Sequence, residues 1–261
     1  MQVKRLRFLG LSAIGLCLVM HAVFVSANPG AASERCGLGV PPGTRGFAED
    51  RARQAEEVRR DGFLRVCEAN LKRYDMSFSP SAAAVKSLAF QPVDLSKTPF
   101  AKLKSLGATA EAVNRTKSRL YRGFRMPDGR KLTLFEHDMS ADGTRMWRDP
   151  KDETERVGKL PAHLSVFQAG SGNAISALSW MRGRRYYELW IDANVALTPL
   201  RQQLFALAAS LPASVPACPN EAAPEPFHFG PDGMPVLPSA PDVLTVEQVK
   251  ESLEKETRRC R

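Results

Sequence analysis

Apolar positions follow two rhythms along the chain. Over residues 47–74, Ala52, Ala55, Val58, Phe63, Val66, Cys67, Leu71 and Tyr74 recur at near-helical spacing among charges, which predicts a helical region, with Gly62 as an interruption that would divide it in two. Over residues 120–192 the period shortens to that of strands. The stretch LYRGFRMPDGRKLTLFEHD reads as a hairpin turning at Pro127-Asp128-Gly129. Residues 164–169, 174–181 and 185–192, parted by Gly170-Ser171-Gly172-Asn173 and Arg182-Gly183, read as an antiparallel meander. In its last strand Tyr187, Leu189 and Ile191 alternate with Tyr186, Glu188 and Trp190, so one face is expected in a core and the other to carry two aromatics and a carboxylate.

Two Thr-Pro pairs look like helix starts. Thr98-Pro99 predicts a helix ending at Gly107. Thr198-Pro199 opens a stronger one, with Leu200, Leu204, Leu207, Ala208 and Leu211 on one stripe and Pro212 as its stop. Residues 139–159 lack periodicity and are expected to form a long loop. The class that emerges is α+β: a hairpin and a three-stranded meander in one antiparallel sheet packed by helices.

The ends add targeting and crosslinks. Lys4, Arg5 and Arg7 precede an apolar run that closes on Val25-Ser26-Ala27, the pattern of a cleavable secretory signal over residues 1–27. The alternative is a retained anchor, since about 20 apolar residues can span a bilayer. Cys17 follows Leu16, which argues against a lipid-modified cysteine. No later segment is long and apolar enough to span a membrane, and loss of the leader lowers the formal charge from +9 to +6. The mature chain is thus expected to be periplasmic, with a globular domain at 28–211, a Pro-rich linker or strap at 212–243 and a C-terminal helix at 244–261. Residues 212–241 include nine prolines, which excludes a regular helix or central strand, and Thr245 and Gln248 then form a capping-box pair. Cys36, Cys67, Cys218 and Cys260 remain after cleavage. Four cysteines in an oxidising compartment imply two disulfides among three pairings, and Cys36–Cys67 with Cys218–Cys260 is the expected set because each brackets one end segment.

Candidate chemistry is sparse. Gly-x-Ser-x-Gly, His-Glu-x-x-His and a phosphate-cradling glycine loop are absent, and His137, His163 and His228 stand far apart from one another and from the cysteines. No metal, cofactor or enzymatic activity is expected. His137 is flanked by Glu136 and Asp138, but strand neighbours face opposite ways, so a plain surface histidine is expected; Ser171 belongs to a turn. A hydrolase would draw on His137 or Asp138. Arg182, Arg184 and Arg185 cluster with Tyr186, Tyr187 and Trp190. Basic and aromatic residues interleaved in this way can bind single-stranded nucleic acid, yet export argues against that partner. Arg182, Arg184, Arg185, Tyr186 and Trp190 are instead the candidate interface for a protein.

The stretches FRMPDGRKLTLFEHD, ISALSWMRGRRYYELWID and LTPLRQQLFALAASL, with the cysteine-bearing PASVPACPNEAAPEPFHFGPDG, resemble those of periplasmic immunity proteins that neutralise phospholipase effectors of type VI secretion. The resemblance covers roughly a third to a half of the chain and lacks that family's glycine- and aspartate-rich opening and second module. The strand–strand–helix order also resembles modules of anti-sigma regulators and lipoprotein carriers. The first resemblance implies a non-enzymatic protein that occludes a toxic effector, with no catalytic residues to carry over. The alternative is an envelope structural protein or carrier that holds a lipid or glycan on the open side of the sheet, through Phe135, Trp180 and Trp190.

Overall fold

The computed structural model describes residues 39–220, apart from 41–43, 114, 147 and 197, together with 228 and 230. All lie within the compact unit Arg35–Arg261. The leader at 1–27, Cys36, Cys260, the C-terminal helix at 244–261 and most of the segment 221–243 lie outside the described residues.

Helix α1, Phe47–Asp61, ends where Gly62 adopts φ 78° and donates its N–H to Val58 O. The helical reading of 47–74 is corrected beyond that point. Strand β1, Leu64–Val66, follows, then the single-turn helix α2, Glu68–Leu71, and a 3₁₀ turn over Lys72–Tyr74. The interruption wins because Gly62 is the left-handed stop a helix end favours, and Leu64 and Val66 are buried by pairing in the sheet. Helix α3 is Ser81–Lys86.

Among the described residues eight strands form one sheet: β1, β2 (Lys104–Val113), β3 (Thr116–Arg125), β4 (Lys131–Asp138), β5 (Glu155–Val157), β6 (Leu160–Ala169), β7 (Ala174–Arg182) and β8 (Arg185–Ile191). Their spatial order is β1-β6-β7-β8-β4-β3-β2, with β5 also on β6, and only β1 against β6 runs parallel. The hairpin is β3–β4 and the meander β6–β7–β8. Strand β2 corrects the helix expected from Thr98 to Gly107. The Thr-Pro start yields one 3₁₀ turn, Pro99–Lys102, and the chain then pairs with β3, with Gly107 at φ 114° beside a register shift. The expected loop at 139–159 is corrected too. It contains helix α4, Met139–Asp142, whose four residues are all buried, and strand β5.

Helix α5, Pro199–Ala209, covers one face of the sheet. Leu204, Leu207, Ala208 and Leu211 pack with Leu134, Leu178, Leu189, Ile191 and Trp180, and Trp180 stacks on Tyr187 with ring centroids 5.3 Å apart. The Pro-rich segment is strapped onto this side as far as it is described. Leu211 O and Pro212 O accept from Arg182, Val215 O accepts from Arg185, and the Ala217 N–H donates to Asp138. Among the described residues no helix is long and apolar enough to cross a membrane.

Candidate functional site

Strand pleating sorts the side chains of the meander. Tyr187, Leu189 and Ile191 enter the core beneath α5, while Tyr186, Glu188 and Trp190 point to the opposite face, which no long helix covers among the described residues. Strand register brings further residues to that second face. Phe135 pairs with Glu188, Thr133 with Trp190 and His137 with Tyr186; Tyr121 pairs with Phe135, and Ser179 with Glu188.

These residues form an aromatic array around one carboxylate. Tyr121 stacks on Phe135 at 4.6 Å, Tyr186 meets Phe135 edge-on at 5.9 Å, and Trp190 lies 5.9 Å from Tyr121 and 5.0 Å from Tyr74. Phe135 and Trp190 form the buried floor, and Tyr121, Tyr186 and Phe167 are half-buried around it. Burial pushes Glu188 above the ordinary carboxylate range, against the opposing pull of the Tyr186 hydroxyl, which donates to it at 3.0 Å, and of the positive charges of Arg73 and Arg148. Burial also raises Tyr186, with Glu188 adding to the effect, and raises Tyr121, whose hydroxyl donates to Glu111 at 2.6 Å. Both phenols therefore remain protonated donors at neutral pH.

Two segments bound the array. Residues 72–79 cross one end: Lys131 Nζ donates to Asp75 at 2.8 Å, Ser79 bridges to Ala108, and the Phe78 ring fills the space over Gly123, where a Cβ would stand 2.3 Å from Phe78 Cε2. Arg73 lies over the rings of Tyr74 and Phe167, at 4.6 and 5.6 Å. At the other end Arg148 donates to Ser179 at 3.3 Å and pairs with Glu153 at 3.2 Å, and His163 Nδ1 lies 2.6 Å from Asp152 O.

The acid, base and hydroxyl groups nearby are committed to structure. His137 is 1% exposed, which corrects its reading as a surface histidine. Its Nε2 lies 2.7 Å from Asp142 Oδ2, and because a carboxylate only accepts, this nitrogen carries the proton. Ser118 donates to the same oxygen at 2.6 Å and the Thr144 N–H to Oδ1 at 2.7 Å. Burial alone would raise Asp142, but the bonds from His137, Ser118 and Thr144 outweigh it and hold the group at about 2. The hydroxyl of Ser118 addresses the carboxylate rather than the imidazole, so no Ser–His nucleophile pair is formed. Ser171 donates to Glu68 in its turn. Among the described residues no group of three His, Cys, Asp or Glu side chains is placed to hold a metal ion.

A second buried network lies on the helix side. Arg185, 1% exposed, bridges Glu136 at 3.3 Å and Asp138 at 2.9 Å, donates to Gln91 O and Val215 O, and lies 4.4 Å from the centre of the Phe90 ring. Arg122 also bonds Glu136, and the Val93 N–H reaches the same carboxylate at 3.0 Å. The candidate interface of Arg182, Arg184, Arg185, Tyr186 and Trp190 is therefore corrected as a single surface. Arg185 is internal, Arg182 secures residues 211 and 212, Arg184 donates to Met139 O at 2.8 Å, and only Tyr186 and Trp190 belong to the aromatic face. Trp180, expected with Phe135 and Trp190, is on the opposite side at 1% exposure. Sequence reading missed Tyr121 and Tyr74, though the alternation of β3 with Tyr121 two places from Arg119 carried part of that signal. No protein-family model matches the chain, and no curated protein or solved structure matches it.

Proposed function

We propose that this is an exported, non-enzymatic binding protein of the periplasm whose ligand rests on the aromatic face of the sheet. The observation that carries the reading is the pair Tyr121 and Tyr186, half-buried over a floor of Phe135 and Trp190 beside Glu188, on a face that no long helix covers among the described residues. Aromatic rings with a few fixed polar groups are the usual composition of a binding surface. The carrier reading gains because Phe135 and Trp190 share this face. Occlusion of a secreted effector is the second reading, favoured by Tyr186 and Trp190, residue types that anchor protein interfaces. It loses Arg182 and Arg185, whose guanidinium groups are spent inside the fold.

Export is supported by the Lys-Arg start and small-residue end of segment 1–27. The disulfides Cys36–Cys67 and Cys218–Cys260 belong to the same proposal. Cys67 is half-buried at the start of α2, and Cys218, 5% exposed, donates its N–H to Ser140 at 3.2 Å. Peptide mapping without reductant should recover both linked pairs, each stabilising by about 3 kcal/mol; free thiols throughout would refute them.

The test of function is affinity capture from the envelope of the host, comparing the wild-type chain with a Tyr121→Ser/Tyr186→Ser variant of matched circular dichroism. Co-purification that depends on the two tyrosines is expected. Equal capture by both proteins would remove the aromatic face from the account.

A further inference from the structure

We infer that segment 245–260 of this chain docks on an apolar corner of the helix side, beside α3. Among the described residues the large aliphatic side chains left exposed are Val58, Val85 and Val215. The last two meet at one corner. Arg185 Nη2 donates to both Gln91 O, at 3.2 Å, and Val215 O, at 3.0 Å, so the chain that leaves α3 and the Pro-rich strap run side by side there. Ala84, Leu88 and Ala217 pack against the same small core of Phe90, Ala108 and Leu120. Val85, 37% exposed, Val215, 60% exposed, and exposed Ala89 form the solvent side of that packing.

The occupant follows from where the chain goes next. Cys218 is buried just beyond Val215, and the sequence runs on from it to Arg261. In that run Val246, Val249 and Leu253 recur at helical spacing behind the capping pair Thr245 and Gln248. The Cys218–Cys260 disulfide, on whose proposal above this inference draws, holds the segment at the corner. With about 6 Å between Cα atoms across the bridge and about 1.5 Å of helical rise per residue, Leu253 comes within roughly 16 Å of Cys218, and Val215 is within about 10 Å of it. Docking is then intramolecular, at an effective concentration in the millimolar range, so a small apolar patch suffices. Charge is complementary as well. Glu247, Glu251, Glu254 and Glu256 outnumber Lys250 and Lys255 in the segment, while exposed Lys86 and exposed Lys117, whose carbonyl accepts from the Ala89 N–H at 2.9 Å, border the corner. A second copy or another protein would lack the tether.

The test is amide hydrogen exchange of the whole chain from Asn28 to Arg261, read by peptide mass spectrometry, with the disulfides mapped in the same sample. The amides of 246–257 should be protected. Val85→Glu and Val215→Glu should each speed their exchange by at least about 10-fold, the weight of one buried valine, while β4 and β8 keep their protection. Val58→Glu, a change at an equally exposed valine on α1, should leave 246–257 unmoved. Ala89→Glu keeps the test valid if either corner variant loses protection in β4 and β8. Exchange of 246–257 that is unprotected in the wild type, or protected yet indifferent to the corner variants, overturns the docking, and protection that rises with protein concentration gives the corner to a second copy instead. A mapped Cys218–Cys260 bridge with 246–257 unprotected refutes the docking alone; free thiols with protection kept refute the bridge alone.

Discussion

The two faces of the sheet are built from the same strands yet solve opposite problems. Beneath α5, apolar side chains surround a buried ionic network: Arg185 reaches two carboxylates and two backbone carbonyls, and Asp138 receives Ser140 and Ala217 as well. On the other side, the half-buried rings of Tyr121 and Tyr186 stand over buried Phe135 and Trp190, with Glu188 among them held by the Tyr186 hydroxyl. Where buried charges pair with one another, they hold the chain together; where rings stand partly open beside a carboxylate, the surface is chemically suited to a ligand. Strand β4 belongs to both, with Leu132, Leu134, Glu136 and Asp138 facing the helix and Thr133, Phe135 and His137 facing away.

Breaking the closed side should have the largest effect. Arg185→Met leaves Glu136 and Asp138 buried without their main counter-charge, and a loss of about 3–5 kcal/mol in chemical denaturation is expected. A loss below about 1 kcal/mol would show that the network is not what holds residues 91–93 and 215–218 against the sheet.

Acid should act next, through Asp142. Its folded pKa of about 2 lies below the 3.8 of an unperturbed aspartate, so its stabilisation is fully present above about pH 4 and is lost as pH falls through 2. The shift corresponds to roughly 2 kcal/mol. Denaturation between pH 5 and 2, set beside Asp142→Asn, should show the slope of this group disappear in the variant.

Residues 72–79, which border the aromatic face, offer a sharper probe. Gly123→Ala drives a Cβ into the ring of Phe78, with an expected cost of about 1–2 kcal/mol. Phe78→Ala in the same chain should cancel part of that cost, a coupling readable from a double-mutant cycle. The smallest change is Tyr186→Phe. It should cost no more than about 1 kcal/mol, and it should raise the Glu188 pKa further in a carboxyl NMR titration, because the hydroxyl it removes favours the ionised form.

The hairpin, the meander and α5 were legible because period and punctuation agreed: Pro127-Asp128-Gly129 turns the hairpin, and Thr198-Pro199 opens a helix with an apolar stripe. Strand β2 was not, since SLGATAEAV is rich in small residues of weak strand preference and its pairing with β3 is a tertiary effect. The face division within β8 was legible from alternation alone. The burial of Arg185 and His137 was not, because a charged or titratable residue reads as surface until its partners are known: Gln91, Val215 and Asp138 reach Arg185 from distant segments, and His137 meets Asp142 only through the turn of α4, which also brings in Ser118 from β3. Of the candidate site, Tyr186, Glu188, Trp190 and Phe135 could be named from sequence, whereas Tyr74 and Tyr121 join them only through packing and register.

The most direct test of the central claim is photo-crosslinking in the periplasm from two positions, with benzoylphenylalanine replacing Tyr121 on the aromatic face or Gln203 on the exposed side of α5. The account predicts ligand adducts from position 121 and none from 203. Adducts from 203 alone, or equally from both, would contradict it.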